Sequence, residues 1–399
     1  MFTSSFRCMV TNPTFGCLLL FGAALAALIM ANTGTSALYE SIINFPIHTG
    51  SLQSSHMTVQ SIVNDGLMAL FFLSVGLEVK YELLKGALNS RSRASFPTIA
   101  ALGGMVAPAI IYSLITGSTP LLRAGWAIPT ATDIAFAGGV LKLLGKRVST
   151  SLKAFLLALA IIDDLIATLI IALCYNSTLN LRVLAAAGVI IGMMTLMNRA
   201  NVRSIALYLL LGTALWGCIL LSGIHATLSG VIVGGLIPLT LPVTDVSPAR
   251  TLNRRLQSWV AYLILPLFAF TNAGISLQSV GQEHWFSLLP WGIITSLVIG
   301  KPMGIILFTA VAIKLKLAKL PDDTAFRHIA AVAMLCGIGF TMSIFIANLT
   351  FGKSETIACV LAKAGILLGS VTAALLGYIT LRLTLPPLRV SNATGNTRT

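Results

Sequence analysis

Apolar residues run through this chain in continuous blocks rather than alternating with polar ones. Windows of about 20 residues, the length that spans a bilayer as an α-helix, mark about twelve such blocks. They lie near 13–32, 62–84, 95–116, 121–144, 152–174, 181–198, 204–222, 223–240, 257–278, 288–313, 327–350 and 357–382. Lipid offers no hydrogen-bond partner to a peptide group, so a spanning segment must be a helix or part of a closed barrel, and unbroken apolar runs select helices. The pattern predicts an all-α polytopic membrane protein.

Composition agrees. Of 399 residues, 56% are hydrophobic and 10% charged, against about 25% charged in a soluble domain. A soluble enzyme, a secreted scaffold and a disordered chain are excluded. Lys and Arg outnumber Asp and Glu by 26 to 12, a net charge of +14, yet no basic stripe with interleaved aromatics points to nucleic acid. The cations instead fall on alternate connections. One side holds Lys80, Lys85, Arg91 and Arg93, then Lys142, Lys146, Arg147 and Lys153, then Arg199 and Arg203, then Arg250, Arg254 and Arg255, then Lys314, Lys316, Lys319 and Arg327, with Arg7, Arg382, Arg389 and Arg398 at the ends. The other side holds Arg123, Arg182 and Lys353. The positive-inside rule then puts both termini in the cytoplasm. The first apolar run is long enough to span and is read as a membrane helix, not a cleaved signal. The six cysteines form no CxxC pair, so neither disulfide nor zinc is expected. The longest outside connection, 33–61, carries no Lys or Arg and has turn residues at Thr49-Gly50-Ser51, consistent with a small hairpin.

Charges inside apolar spans are costly, about 2.5–3.5 kcal/mol each at the centre on insertion scales, and are candidates for function. Span four contains Ile128-Pro129-Thr130-Ala131-Thr132-Asp133, where a proline and two threonines beside an acid read as a broken helix. Asp133 there is a counter-charge for a helix end. Span five carries Asp163 and Asp164 about ten residues from either end, and span ten carries Gly300-Lys301-Pro302. The economical partner for a buried lysine is one of the two aspartates. Adjacent positions on a helix diverge by about 100°, so one carboxylate, assigned as Asp163, meets Lys301 while Asp164 faces a cavity. Neighbouring buried acids titrate as a cluster, and their oxygens with the Thr132 hydroxyl suit a small hard cation. Proton and cation would compete for one site. Span eleven contains Leu335-Cys336-Gly337-Ile338-Gly339-Phe340-Thr341-Met342-Ser343, an interrupted segment without charge. Spans three to five and ten to twelve thus form two triplets of opposite orientation, each with a broken middle helix, which is the layout of an inverted repeat.

Ala131 to Ala137, Leu159 to Leu165, Gly223-Ile224-His225-Ala226-Thr227-Leu228, Gly300-Lys301-Pro302 and Leu335 to Ser343 together resemble the NhaA family of bacterial sodium/proton antiporters, over about residues 10–385. That family is itself a known example of the inverted-repeat architecture. The resemblance implies twelve helices with spans four and eleven unwound and crossing at mid-membrane, and an inverted-repeat core of 95–175 and 288–383. Residues 13–90 and 204–278 would be scaffold and dimer-interface helices, and 384–399 a cytoplasmic tail. It implies that Asp164 is the principal ion-binding carboxylate, Asp163 its partner and proton carrier, and Thr132 a ligand for Na+ or Li+. Asp133 and Lys301 would compensate the half-helix dipoles. Glu78, Glu82 and His225 match positions tied to pH regulation. No cofactor beyond the transported Na+, Li+ and H+ is implied, no enzymatic activity, and a homodimer joined through the outside hairpin in the lipid of the bacterial inner membrane. The implied exchange is electrogenic, two protons for one cation, serving sodium and pH homeostasis. One departure stands out: Thr251-Leu252-Asn253-Arg254-Arg255 has Asn253 where relatives often carry an acid.

Other classes fit the residues less well. A sodium-coupled symporter for an organic anion needs substrate-binding polar groups beyond Thr132, Thr341 and Ser343. An intramembrane aspartyl protease needs one Asp on each of two facing helices; Asp133 and Asp163 could be cast in the roles, yet a lysine nearby and the Asp163-Asp164 doublet fit badly. A channel would not need so charged a midplane.

Overall fold

The computed structural model describes residues 13–47, 57–86, 88–117, 119–175, 179–239, 247–277, 285–320, 324–352 and 356–385. The helices are α1 (Pro13–Asn32), α2 (Ser36–Ile43), α3 (Val59–Leu84), α4 (Arg91–Thr116), α5 (Ile134–Leu143), α6 (Thr150–Cys174), α7 (Leu181–Arg199) and α8 (Ile205–Ser222). They continue with α9 (Leu228–Leu236), α10 (Pro248–Ala273), α11 (Leu288–Lys314), α12 (Phe326–Cys336), α13 (Phe340–Phe351) and α14 (Thr356–Thr384). Among the described residues nine helices are long and apolar enough to cross a membrane, or up to ten when the bent pair α12 and α13 counts as one span. Leu114, Leu173, Leu196 and Leu210 stand exposed on their outer faces, as side chains in contact with acyl chains do.

Two of the twelve segments expected from the sequence fall outside that test for local reasons. Residues 121–144 hold one helical turn (Pro120–Arg123), a 3-10 stretch (Ala124–Thr130), extended backbone at Ala131 and Asp133, and then α5. Pro129 has no N–H to give a helix ladder. Residues 223–240 yield the nine-residue α9. The 33–61 connection contains α2, which the sequence did not announce, followed by two short antiparallel strands, β1 (Pro46–Ile47) and β2 (Met57–Thr58), in register Pro46 to Thr58. The Thr49-Gly50-Ser51 turn and the tail beyond residue 385 lie outside the described residues.

Among the described residues the packing forms four buried clusters, two of them large. The larger of these two joins α4, α6 and α11 to α14 with parts of α1, α3 and α10; the other joins α3, α7, α8 and α9. The α4–α11 contact is close because a Cβ on Gly304 would run into the Gly103 carbonyl. Gly337, at the break between α12 and α13, is needed for the same reason, since a Cβ there would meet the Leu297 carbonyl. α12 and α13 bend by 43° at that break. In α11 a π-turn (Ser296–Gly300) precedes Lys301-Pro302, with the Lys301 N–H bonded to the Ser296 carbonyl. A proline ring clashes with the carbonyl four residues back in a regular helix, and the extra residue of a π-turn relieves this. Lys301 therefore sits at a helix irregularity in the middle of α11.

Candidate ion-binding site

α6 starts with Ser149, whose Oγ accepts from the Leu152 N–H at 3.2 Å, and it carries Asp163 and Asp164 at its centre. Both are buried, as are Thr132, Asp133 and Lys301. The two chain breaks meet beside them: the Asp133 N–H donates to the Ile338 carbonyl at 2.7 Å.

Asp133 answers two helix starts at once. Its Oδ1 accepts from the Phe136 N–H at 2.9 Å and caps α5; its Oδ2 accepts from the Thr341 N–H at 3.0 Å and the Thr341 hydroxyl at 2.6 Å at the start of α13. Each N-terminus presents unpaired N–H groups and the positive end of a macrodipole, so one carboxylate satisfies both. Ser370 adds to the α13 end, its Oγ accepting from the Phe340 N–H at 3.1 Å. Lys301 does the converse: its Nζ donates to the Thr130 carbonyl, at the end of the 3-10 stretch, at 2.6 Å, and lies 3.2 Å from Asp163 Oδ2. The two ends of the broken strand of chain thus carry opposite compensating charges.

Asp163 Oδ2 also accepts from the Thr132 hydroxyl at 2.6 Å, a hydroxyl that reaches the Cys336 carbonyl at 3.3 Å. The remaining carboxylate oxygens differ. Asp163 Oδ1 and both oxygens of Asp164 are buried and have no protein hydrogen-bond partner among the described residues. Buried polar atoms are ordinarily satisfied, and three buried carboxylate oxygens without protein donors are of the oxygen type that takes up a hard cation or protons.

Among the residues singled out from the sequence, Thr132, Asp133, Asp163, Asp164 and Lys301 form this cluster. Glu78 and Glu82 line a separate cavity of about 560 Å³ with Tyr81, Arg250, Asn253 and Arg254; Glu78 lies within electrostatic reach of Asp164. His225 lines a different cavity of about 610 Å³ with Asn64, Asp65, Tyr175 and Asn348. The two cavities touch α3 at Asn64 and at Glu82, eighteen residues or about 27 Å apart along a helix. Sequence reasoning missed the neutral amides that line this second cavity or lie behind it. Asn64, Asn272 and Asn348 sit in apolar runs and signal buried polarity, but a scan for charge passes over them.

With nine or ten helices among the described residues long and apolar enough to cross a membrane, the chain is a multi-pass membrane protein, and the relatives that follow are named as antiporters, which are transporters and not enzymes. The family described as Na+/H+ antiporter 1 matches residues 7–381, and the chain belongs to that family. It is 69% identical over 386 residues to the Na(+)/H(+) antiporter NhaA of Sodalis glossinidius (strain morsitans), covering 97% of each chain. It is 51% identical over 389 residues to the Na(+)/H(+) antiporter NhaA of Serratia proteamaculans (strain 568), covering 97% of this chain and 100% of that one. The fold is similar to that of the sodium proton antiporter MjNhaP1 from Methanocaldococcus jannaschii at pH 8, with a TM-score of 0.55 at 14% identity over 93% of this chain and 92% of that one.

Proposed function

We propose that the chain exchanges cytoplasmic Na+ or Li+ for external protons at the Asp163–Asp164 pair, with Thr132 as a further ligand. The observation that carries this reading is the set of three buried carboxylate oxygens without a protein donor, beside a fourth held by Lys301 and Thr132. A cation needs these oxygens deprotonated, while protonation fills the same lone pairs, so loading by one expels the other. Two acids allow two protons to be carried per monovalent cation, which moves one net positive charge inward per cycle. Asp133 and Lys301 keep the two interrupted segments stable at membrane depth and leave their charges balanced when the pair is loaded or empty.

In this reading residues 95–175 and 288–383 are the inverted-repeat core, in which the interrupted segments around Ala131–Asp133 and Gly337–Gly339 cross at mid-membrane. It moves against the scaffold of 13–90 and 204–278 by alternating access. The protein sits in the bacterial inner membrane with both termini and the 384–399 tail in the cytoplasm, paired as a homodimer through the β1–β2 hairpin. Glu78 and Glu82 line the inner cavity and His225 the outer one, from which they tune the pH response. Together these make a device for sodium and pH homeostasis.

The test is sodium-triggered dissipation of a preset pH gradient in proteoliposomes between pH 6.5 and 8.5, with and without a potassium–valinomycin voltage clamp. Collapse of the gradient with net charge movement supports the exchange and its electrogenicity. No response to Na+ or Li+ at any pH refutes it, and a response unaffected by the clamp refutes the two-proton ratio.

A further inference from the structure

Four amides from three helices meet beside the outer cavity. Asn272 Oδ1, at the end of α10, accepts from Asn348 Nδ2 at 2.7 Å, Asn64 Nδ2 at 3.1 Å and Gln60 Nε2 at 3.3 Å. Its own Nδ2 reaches Asn64 Oδ1 at 2.7 Å and the Phe268 carbonyl at 2.9 Å. Asn272 is 1% exposed. Gln60, Asn64 and Asn348 also line the cavity of about 610 Å³ that includes Cys174 and Tyr175 at the end of α6.

The order of side chains along α13 gives this cluster a position relative to the charges. Thr341 bonds to Asp133. One turn on, Phe345 lines the cavity and packs on Phe72 of α3 and Phe268 of α10, with ring centroids 5.7 and 6.3 Å away. About another turn on comes Asn348. Along α13, charge, aromatic and amide layers follow one another towards the cavity, each about 5 Å from the next. An aromatic layer backed by amides that bond to one another offers a hydrated ion little to replace its water.

Phe345 and Asn348 stand on the segment assigned above to the moving core, whereas Phe72, Asn64, Phe268 and Asn272 stand on the scaffold helices. We propose that Asn348 and Phe345 form the outer closure of the exchange path, and that the Asn348–Asn272 hydrogen bond is the latch that breaks when the site turns outward. This rests on the alternating-access reading of the proposed function. Because the latch exists in one state and not the other, it biases the equilibrium between them. A neutral hydrogen bond of ordinary net strength corresponds to a bias of about fivefold.

The test uses the full chain with its six cysteines replaced, carrying Asn272→Cys and Asn348→Cys, in proteoliposomes. A short reversible methanethiosulfonate bridge is expected to cut sodium–proton exchange at least about tenfold relative to the same protein before bridging, with full recovery after reduction. Calorimetric sodium binding should survive bridging, because the inner cavity stays open. The proposal is overturned if the bridge does not form, if bridged protein exchanges at the unbridged rate, or if bridging abolishes sodium binding. Separately, Asn348→Ala in the otherwise native chain should raise the apparent affinity for external Na+ about fivefold and lower that for internal Na+; unchanged affinities on both sides would also overturn it. Failure of the aspartate-site reading looks different: Asp164→Asn would then still bind sodium, whatever the bridge does.

Discussion

Lys301 Nζ stands 3.2 Å from Asp163 Oδ2 while donating to the Thr130 carbonyl at 2.6 Å, so one ammonium serves both the carboxylate pair and the end of an interrupted helix. Lys301 has no exposed surface. Removing one partner of such a pair leaves an uncompensated buried charge, at a cost of about 3–5 kcal/mol, whereas replacing both is near neutral. Asp163→Asn and Lys301→Met are each expected to destabilise the detergent-solubilised protein by about that amount, and the double variant by much less than their sum. Thermal unfolding of the four proteins completes the cycle. Additive losses would mean that the two groups are not energetically coupled.

Asp133 offers a separate test because it caps α5 and α13 with different oxygens. Caps contribute about 1 kcal/mol each, so Asp133→Ala is expected to cost about 2 kcal/mol. Asp133→Asn keeps one acceptor and should cost roughly half as much. The expected loss is in stability first; sodium affinity measured calorimetrically in the folded protein should fall far less than in Asp164→Asn. Equal stability of Ala and wild-type proteins would show that the caps are energetically idle.

The twelve apolar blocks were readable because a bilayer imposes one length and one secondary structure on each. The charged centre was readable because Asp133, Asp163, Asp164 and Lys301 interrupt blocks where charge is expensive. Which aspartate oxygen meets Lys301, and that Asp133 reaches Thr341 some two hundred residues away, required the three-dimensional packing. Helix α2 was illegible because its apolar residues lie in a connection with no long run. Asn272 escaped notice since a single neutral amide costs little on a hydropathy window, although burying it unpaired would cost about as much as a lost hydrogen bond. The π-turn before Lys301 has a sequence cause in Pro302, but Pro97 and Pro108 sit inside α4, an α-helix from end to end, so proline alone does not announce such a turn.

Thr132 donates to Asp163 Oδ2 at 2.6 Å, which leaves its hydroxyl lone pairs free to face a cation. Thr132→Val keeps the shape and removes both functions; hydrogen bonds to charged groups are worth about 1.5–3 kcal/mol, so sodium affinity should fall roughly ten- to a hundredfold. Thr132→Ser should stay within a few-fold of wild type. A valine variant with unchanged sodium affinity would remove Thr132 from the site.

Competition fixes the sign of the pH dependence. In the proposed exchange protons fill the oxygens that the cation needs, so the apparent Michaelis constant for sodium should rise as pH falls, about tenfold per pH unit for each proton displaced. With both carboxylates involved, the slope on the acid side should exceed one decade per unit. Asp163→Cys, which keeps a titratable group with a higher ordinary pKa, should move the onset to higher pH. A Michaelis constant independent of pH, with only the maximal rate changing, would argue that protons act away from the pair.

Asn253 Oδ1 accepts from the Ser74 hydroxyl at 2.7 Å and joins α10 to α3 at the edge of the cavity lined by Glu78 and Glu82, the inner one in the proposed orientation. The same cavity holds Glu78 and Glu82 against Arg250 and Arg254, with the Arg250 guanidinium 5.0 Å over the Tyr81 ring. The acids and cations there are balanced, so the cavity has little net pull on an incoming cation. Asn253→Asp would keep the acceptor for Ser74 and add one negative charge. The added field should concentrate cations in the mouth of the cavity and lower the apparent Michaelis constant for internal sodium about two- to fivefold at low ionic strength. At 0.3 M choline chloride the Debye length falls to about 6 Å and the gain should largely vanish. Asn253→Leu, which loses the Ser74 bond without adding charge, should lower stability and show no salt-dependent gain. The same improvement in both variants would assign the effect to the helix contact; an improvement in Asn253→Asp alone, erased by salt, would assign it to charge.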